Sequence, residues 1–208
     1  TEDGAKKVSE LETLVDQYED ELGTYLVKLS RQNLSVHDSH TLSIVLHCIG
    51  DFERISDHAI NIMEAAQEMY NKKLTFSPKA EEELKVFSRA VQDIVEKAYA
   101  VFRDQDEKLA QKVEPLEAVV DDLNQEVKKR HIRRLRNGKC TIELGFILSD
   151  ITTSLERVAD HCSNIAVCVT QVRDDTYDTH GYLNSVKNED SEIFRGLVLE
   201  AEEKYLLP

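Results

Sequence analysis

Apolar residues recur along this chain at steps of three and four, the spacing of one face of an α-helix, and only short stretches interrupt the pattern. Val8, Leu11, Leu14, Val15, Leu22, Leu26 and Leu29 predict a helix over residues 3–32, which Leu34 to His37 breaks off. The stripe resumes with Ile44, Cys48, Phe52, Ile55, Ala59, Ile62, Ala66 and Met69, predicting a second helix over 39–71. Ser77-Pro78 reads as a cap followed by proline in the first helical position. Leu84, Phe87, Val91, Ile94, Ala98 and Val101 then carry a third helix over 78–103. A fourth, over 106–137, follows Leu109, Val113, Leu116, Val120, Leu123, Val127 and Leu135, with a kink or short break expected at Pro115. Gly138 supplies a stop, and a fifth helix covers 141–173. Beyond a polar loop, Ile193, Phe194, Leu197, Val198, Ala201 and Tyr205 predict a sixth helix over 189–206.

The pattern is used twice. Glu53-Arg54-Ile55-Ser56-Asp57-His58-Ala59-Ile60-Asn61-Ile62 recurs as Glu156-Arg157-Val158-Ala159-Asp160-His161-Cys162-Ser163-Asn164-Ile165, displaced by 103 residues. Lys7-Val8 through Glu21 recurs as Lys112-Val113 through Glu126, displaced by 105 residues, and a loop can absorb the difference. Such self-similarity means one supersecondary unit repeated. Residues 1–75 therefore hold a first helix pair, 76–174 a three-helix bundle and 175–188 a polar loop. The helix at 78–103 precedes only the second pair. Symmetry then predicts that the C-terminal helix, 189–206, packs on the first pair and completes a second three-helix bundle.

Composition narrows the function. The 208 residues carry a net charge of −14 and include only seven Gly, three Pro and no Trp, which suits an all-α protein. The acidic excess repels nucleic acid and anionic lipid and attracts cations. No apolar run approaches the length of a membrane span. Cys48, Cys140, Cys162 and Cys168 lack paired spacing and read as reduced, mostly buried thiols. Glycine-rich phosphate loops, zincin motifs and the Glu-x-x-His of di-iron oxidases are all missing, so the chain is not expected to be an enzyme.

The strongest chemistry lies in four Glu-x-x-x-Asp pairs: Glu12 with Asp16, Glu53 with Asp57, Glu117 with Asp121, and Glu156 with Asp160. Residues i and i+4 share a helix face, so each pair sets two carboxylates side by side. A chain this acidic produces several such pairs by chance, but the turns give these four a common geometry. The first two pairs lie equally far from Leu34-Ser35, and the last two equally far from Gly138-Lys139. Antiparallel hairpins therefore bring four carboxylates to one level in each half. Such a cluster demands protonation or cations. Oxygen donors favour divalent or trivalent ions such as Mg, Ca, Mn or Fe, with Zn admissible, and bridging carboxylates can hold more than one. Arg54 and Arg157 offset part of the charge. His58 and His161 point about 100° away from the neighbouring Asp and read as surface or supporting groups. Asn61 and Asn164, one turn further along the carboxylate face, are candidates for an extra ligand or a supporting hydrogen bond. The run Lys128-Lys129-Arg130-His131-Ile132-Arg133-Arg134-Leu135-Arg136 is the one strongly basic stretch and reads first as a solvated face, second as a dock for an acidic or phosphate-bearing surface.

Glu-Arg-Ile-x-Asp-His-x-x-Asn-Ile in a long helix, preceded by an acidic helix carrying Leu-Glu-x-x-Val-Asp and duplicated about 100 residues on, resembles the PhoU family of phosphate-uptake regulators. The resemblance implies two pseudo-symmetric three-helix bundles. It also implies metal clusters on Glu12, Asp16, Glu53 and Asp57 and on Glu117, Asp121, Glu156 and Asp160. The missing opening helix and the extra C-terminal one look like the cytosolic C-terminal domain of bacterial sodium/phosphate cotransporters. On that reading the partner is the transmembrane portion of the same polypeptide, at the cytoplasmic side of the inner membrane. The alternatives are a free-standing regulator acting in trans on a phosphate transporter and sensor kinase, and a metal-free scaffold whose acidic faces bind other proteins. Leftover apolar stripes favour association with a second copy.

Overall fold

A computed structural model describes residues 2–174 and 192–208. Its helices are α1 (Glu2–Ser30), α2 (Val36–Lys72), α3 (Pro78–Asp104), α4 (Glu107–Ala110), α5 (Val113–Arg136), α6 (Ile142–Asp174) and α7 (Glu192–Lys204). The architecture is all-α, as the periodicity requires. The expected polar loop and the first residues of the expected C-terminal helix lie outside the described residues.

Local chemistry sets the helix ends. Ser35 caps α2 by accepting from Asp38 N at 3.0 Å, so the helix starts three residues earlier than the apolar stripe suggests. Ser77 and Pro78 start α3 as expected, and Gly138 takes a left-handed φ of 63° in the turn after α5. The break in the predicted fourth helix falls before Pro115. Proline has no N–H for the carbonyl four residues back, and its ring crowds that carbonyl. The chain therefore leaves the helix at Gln111 and Lys112, and restarts at Val113, putting Pro115 in a first turn where no such bond is needed.

The core sits in the second half. Phe87, Ile94 and Val101 of α3 meet Val113, Val120 and Val127 of α5 and Leu148 and Ile165 of α6, all fully buried. The most extensive packing in the molecule joins α2 to α6. Lys72 at the end of α2 pairs with Glu143 at the start of α6 at 2.7 Å, so the two run antiparallel. Phe52 of α2 stacks edge-on against Phe102 of α3, with centroids 5.1 Å apart. By contrast α1 packs along α2 and buries none of its residues.

The C-terminal helix is not where symmetry placed it. It packs on α5 in the second half rather than on the first pair. Val198, Ala201 and Leu207 rest against the main core, and buried Tyr205 donates to Asp93 Oδ2 at 2.7 Å. Lys204 donates to the same oxygen at 3.0 Å, and Arg130 holds the Pro208 carbonyl at 2.6 Å. Burial pushes the Asp93 carboxyl up, but hydrogen bonds from Lys97, Tyr205 and Lys204 outweigh it and bring it down to about 2. Among the described residues these polar anchors lie on α3 and α5 alone, which decides the docking site.

Candidate metal centres

The turns between α1 and α2 and between α5 and α6 act as the hinges of two hairpins, and each sets carboxylates of its two helices at one height. Carboxylate oxygens of Glu12 and Asp16 on α1 and Asp57 on α2 lie within 4.8 Å of one another. Those of Glu117 and Asp121 on α5 and Asp160 on α6 do the same. The two triads occupy equivalent places in the repeat, one on each side of the central α2–α6 pair.

Glu53 and Glu156 stand outside these tight triads. Glu53 borders the first one: burial, followed by the charges of Asp57 and Asp16, pushes its carboxyl above the usual range. Arg54 offsets this from 3.6 Å. In the second half Arg157 donates to Asp160 Oδ2 at 3.1 Å, and no ion pair joins Glu156 to Arg157 among the described residues. A carboxyl raised by burial and by like charges beside it marks a site short of positive charge. The donors are all oxygens. Both facts fit hard or borderline cations, and Glu53 is positioned to add a fourth oxygen to the first triad.

The histidines and asparagines take different parts. His58 and His161 stack on each other across the α2–α6 contact, with ring centroids 5.7 Å apart. His161 Nδ1–H donates to Asp51 Oδ1 at 2.8 Å, and Asn164 Nδ2 donates to the same atom at 3.3 Å. Burial, then the neighbouring His161, lowers the His58 imidazole below its ordinary range. Asn164 thus serves a tie between the halves, while Asn61 is exposed. Asp51 was missed in the sequence because its partners lie more than a hundred residues away. Its counterpart in the repeat, Ser154, gives no hint of the role.

The basic run divides. Arg130 and Arg134 turn toward α3, where buried Glu83 receives them at 3.4 Å and 2.8 Å. Lys129, Arg133 and Arg136 stay exposed.

The chain is similar to known proteins. The chain matches the PhoU domain over residues 1–66 and 84–169. It is 26% identical over 162 residues to the phosphate-specific transport system accessory protein PhoU homolog 1 of Thermotoga maritima, covering 77% of this chain and 69% of that protein. The phosphate-specific transport system accessory protein PhoU homolog of Synechocystis sp. is 27% identical over 172 residues, covering 80% of this chain and 73% of that protein. The crystal structure of PhoU from Pseudomonas aeruginosa shares the fold with a TM-score of 0.76 at 24% identity, over 83% of this chain and 82% of that one.

Proposed function

The chain belongs to the PhoU domain family, and we propose that it is a regulatory accessory protein of phosphate transport, working in trans on a transporter at the cytoplasmic side of the membrane. It acts through contact rather than catalysis. The observation that carries this reading is the family match spanning both halves, backed by two relatives whose names assign them to phosphate-specific transport systems. Among the described residues no helix is long and apolar enough to cross a membrane.

Metal ions complete the proposal. Glu12, Asp16 and Asp57, with Glu53 beside them, would hold one centre, and Glu117, Asp121 and Asp160 the other. A bound cation supplies positive charge where the carboxylates repel one another, and so clamps α1 to α2 and α5 to α6. Arg54 and Arg157 stay as partial counter-charges.

A second reading makes the chain the cytosolic domain of a sodium-dependent phosphate cotransporter, joined to a transmembrane portion of the same polypeptide. The relatives above support the accessory-protein reading better. Two measurements test the proposal. Phosphate uptake in phosphate-replete cells should rise when the gene is deleted and fall again when it is restored; unchanged uptake sinks the regulatory role. Elemental analysis of untagged protein should find metal that survives dialysis and drops with Glu53→Gln plus Asp57→Asn. Metal content untouched by those changes would remove the centres and leave the scaffold reading.

A further inference from the structure

One end of the molecule is unlike the rest. From Lys128 to Lys139 the chain carries seven Lys and Arg and no Asp or Glu, in a protein whose net charge is −14. Arg130 and Arg134 are spent on Glu83, as described. Lys129, Ile132, Arg133 and Arg136, at steps of three and four, form an exposed stripe along α5, and Lys139 continues it into the turn. Lys129 reaches Glu126 at 3.5 Å, whereas Arg133, Arg136 and Lys139 meet no carboxylate among the described residues.

Apolar side chains stand among these cations. Lys128 Nζ donates to Thr153 Oγ1 at 3.2 Å, which sets this stripe beside the face of α6 that leads from Thr153 to Phe146 and Ile142. Phe146 is 69% exposed, and Ile132 and Ile142 are exposed as well. The end of α2 arrives at the same place through the Lys72–Glu143 pair, bringing Tyr70, 84% exposed, together with Lys73. Lys72 there meets both Glu68 and Glu143, each at 2.7 Å.

The repeat provides an internal control. The places of Lys129, Ile132, Arg133 and Arg136 are held in the first half by Thr24, Val27, Lys28 and Arg31, and those of Ile142 and Phe146 by Ser39 and Ser43. The fold therefore tolerates polar, less basic residues at these positions, and neither packing nor the metal centres call for the patch.

We propose that the tip of the α5–α6 hairpin, with the end of α2, is a docking surface for an anionic phospholipid membrane. Cations interleaved with exposed isoleucines and aromatics suit a headgroup layer, where the cations meet lipid phosphates and the apolar groups enter the acyl boundary. Tyrosine favours that boundary for its apolar ring and polar tip. A nucleic acid would satisfy the cations and leave Ile132 and Ile142 in water. The surface uses no residue of the carboxylate triads and requires no transporter, so it stands or falls separately from the regulatory role.

Vesicle co-sedimentation with the full chain tests it. Phosphatidylcholine vesicles containing a third of phosphatidylglycerol should pull the chain down, and pure phosphatidylcholine vesicles should not. Binding should weaken at least about tenfold between low and physiological salt. Arg133→Glu with Arg136→Glu should weaken it by a similar factor, and Phe146→Ser should weaken it severalfold without changing the salt dependence. All three residues are exposed, so unchanged helicity by circular dichroism is expected; should the double variant lose helicity, Lys139→Glu in the turn takes its place. Lys28→Glu with Arg31→Glu at the equivalent tip should change nothing. Absence of binding to anionic vesicles, equal binding to neutral ones, or full binding by the charge-reversed variants overturns the proposal. Capture by polyglutamate or by duplex DNA in place of vesicles overturns it in favour of an acidic macromolecule.

Discussion

Leu116 and Leu11 hold the same place in the two halves, as do Leu123 and Tyr18, yet the first of each pair is 3% and 6% exposed and the second 52% and 58%. The backbone repeat is the same; the difference is α3, which lies over the α5–α6 pair and has no counterpart over α1 and α2 among the described residues. One half is held by a closed apolar core. The other is held by the α2–α6 contact and, on the proposal above, by what binds its carboxylates. The Glu-x-x-x-Asp pairs survive in both, so the duplicated unit preserves its chemistry more strictly than its packing.

The comparison breaks most sharply at the core. Phe87→Ala should cost about 3–5 kcal/mol in denaturant unfolding, because a fully buried ring leaves a cavity, whereas Leu14→Ala on exposed α1 should cost less than about 1 kcal/mol. Similar costs would mean that the α1 face is covered in solution, for instance by a second copy. Glu83→Gln should cost about 3 kcal/mol by stranding Arg134 and Arg130 beside the core, and no arrangement of this kind exists among the described residues of the first half. Unfolding indistinguishable from the parent chain would show that those guanidiniums find water instead.

Cations should act on the open half most. At about a hundred times its Kd, a bound divalent ion stabilises by about 2.7 kcal/mol. Hydrogen exchange should register that gain chiefly in the amides of α1, while amides of α5, already held by the core, slow much less. Equal slowing in both helices would erase the distinction between the halves. The smallest effect concerns the C-terminal anchor. The Asp93 carboxyl is depressed from 3.8 to about 2, so its contribution is complete above pH 3.8 and is lost as pH falls through about 2. Asp93→Asn should lower stability at pH 7 by about 1–2 kcal/mol and flatten the melting-temperature profile across that acid window. A parallel profile for the variant would show that α7 is held by its apolar contacts alone.

Helix identity was legible because burial on one face imposes a period, and Ser77-Pro78, Pro115 and Gly138 mark boundaries through backbone chemistry. The two carboxylate levels were legible from hairpin arithmetic, since antiparallel helices match residues at equal distances from the turn. Placement of α7 was not. It depends on Tyr205 finding Asp93 and on Arg130 finding the Pro208 carbonyl, contacts between residues more than 70 positions apart that leave no periodic trace. Symmetry suggested filling the open place on α1 and α2; specific hydrogen bonds drew the helix elsewhere. The division of the basic run was hidden for the same reason, because Glu83, far off in sequence, draws Arg130 and Arg134 away from their neighbours.

The antiparallel α2–α6 pair has a mechanical consequence. Asp160 at the second carboxylate triad and Phe146 at the basic tip lie on one unbroken helix, 14 residues apart, which is about 21 Å of rigid rod at 1.5 Å per residue. Pivoting that rod by about 10° at the carboxylate level sweeps the tip through about 4 Å, about two thirds of a helical turn. If, as proposed, an ion tightens the hairpin, that movement is magnified at the far end, in the manner of a pointer on a dial.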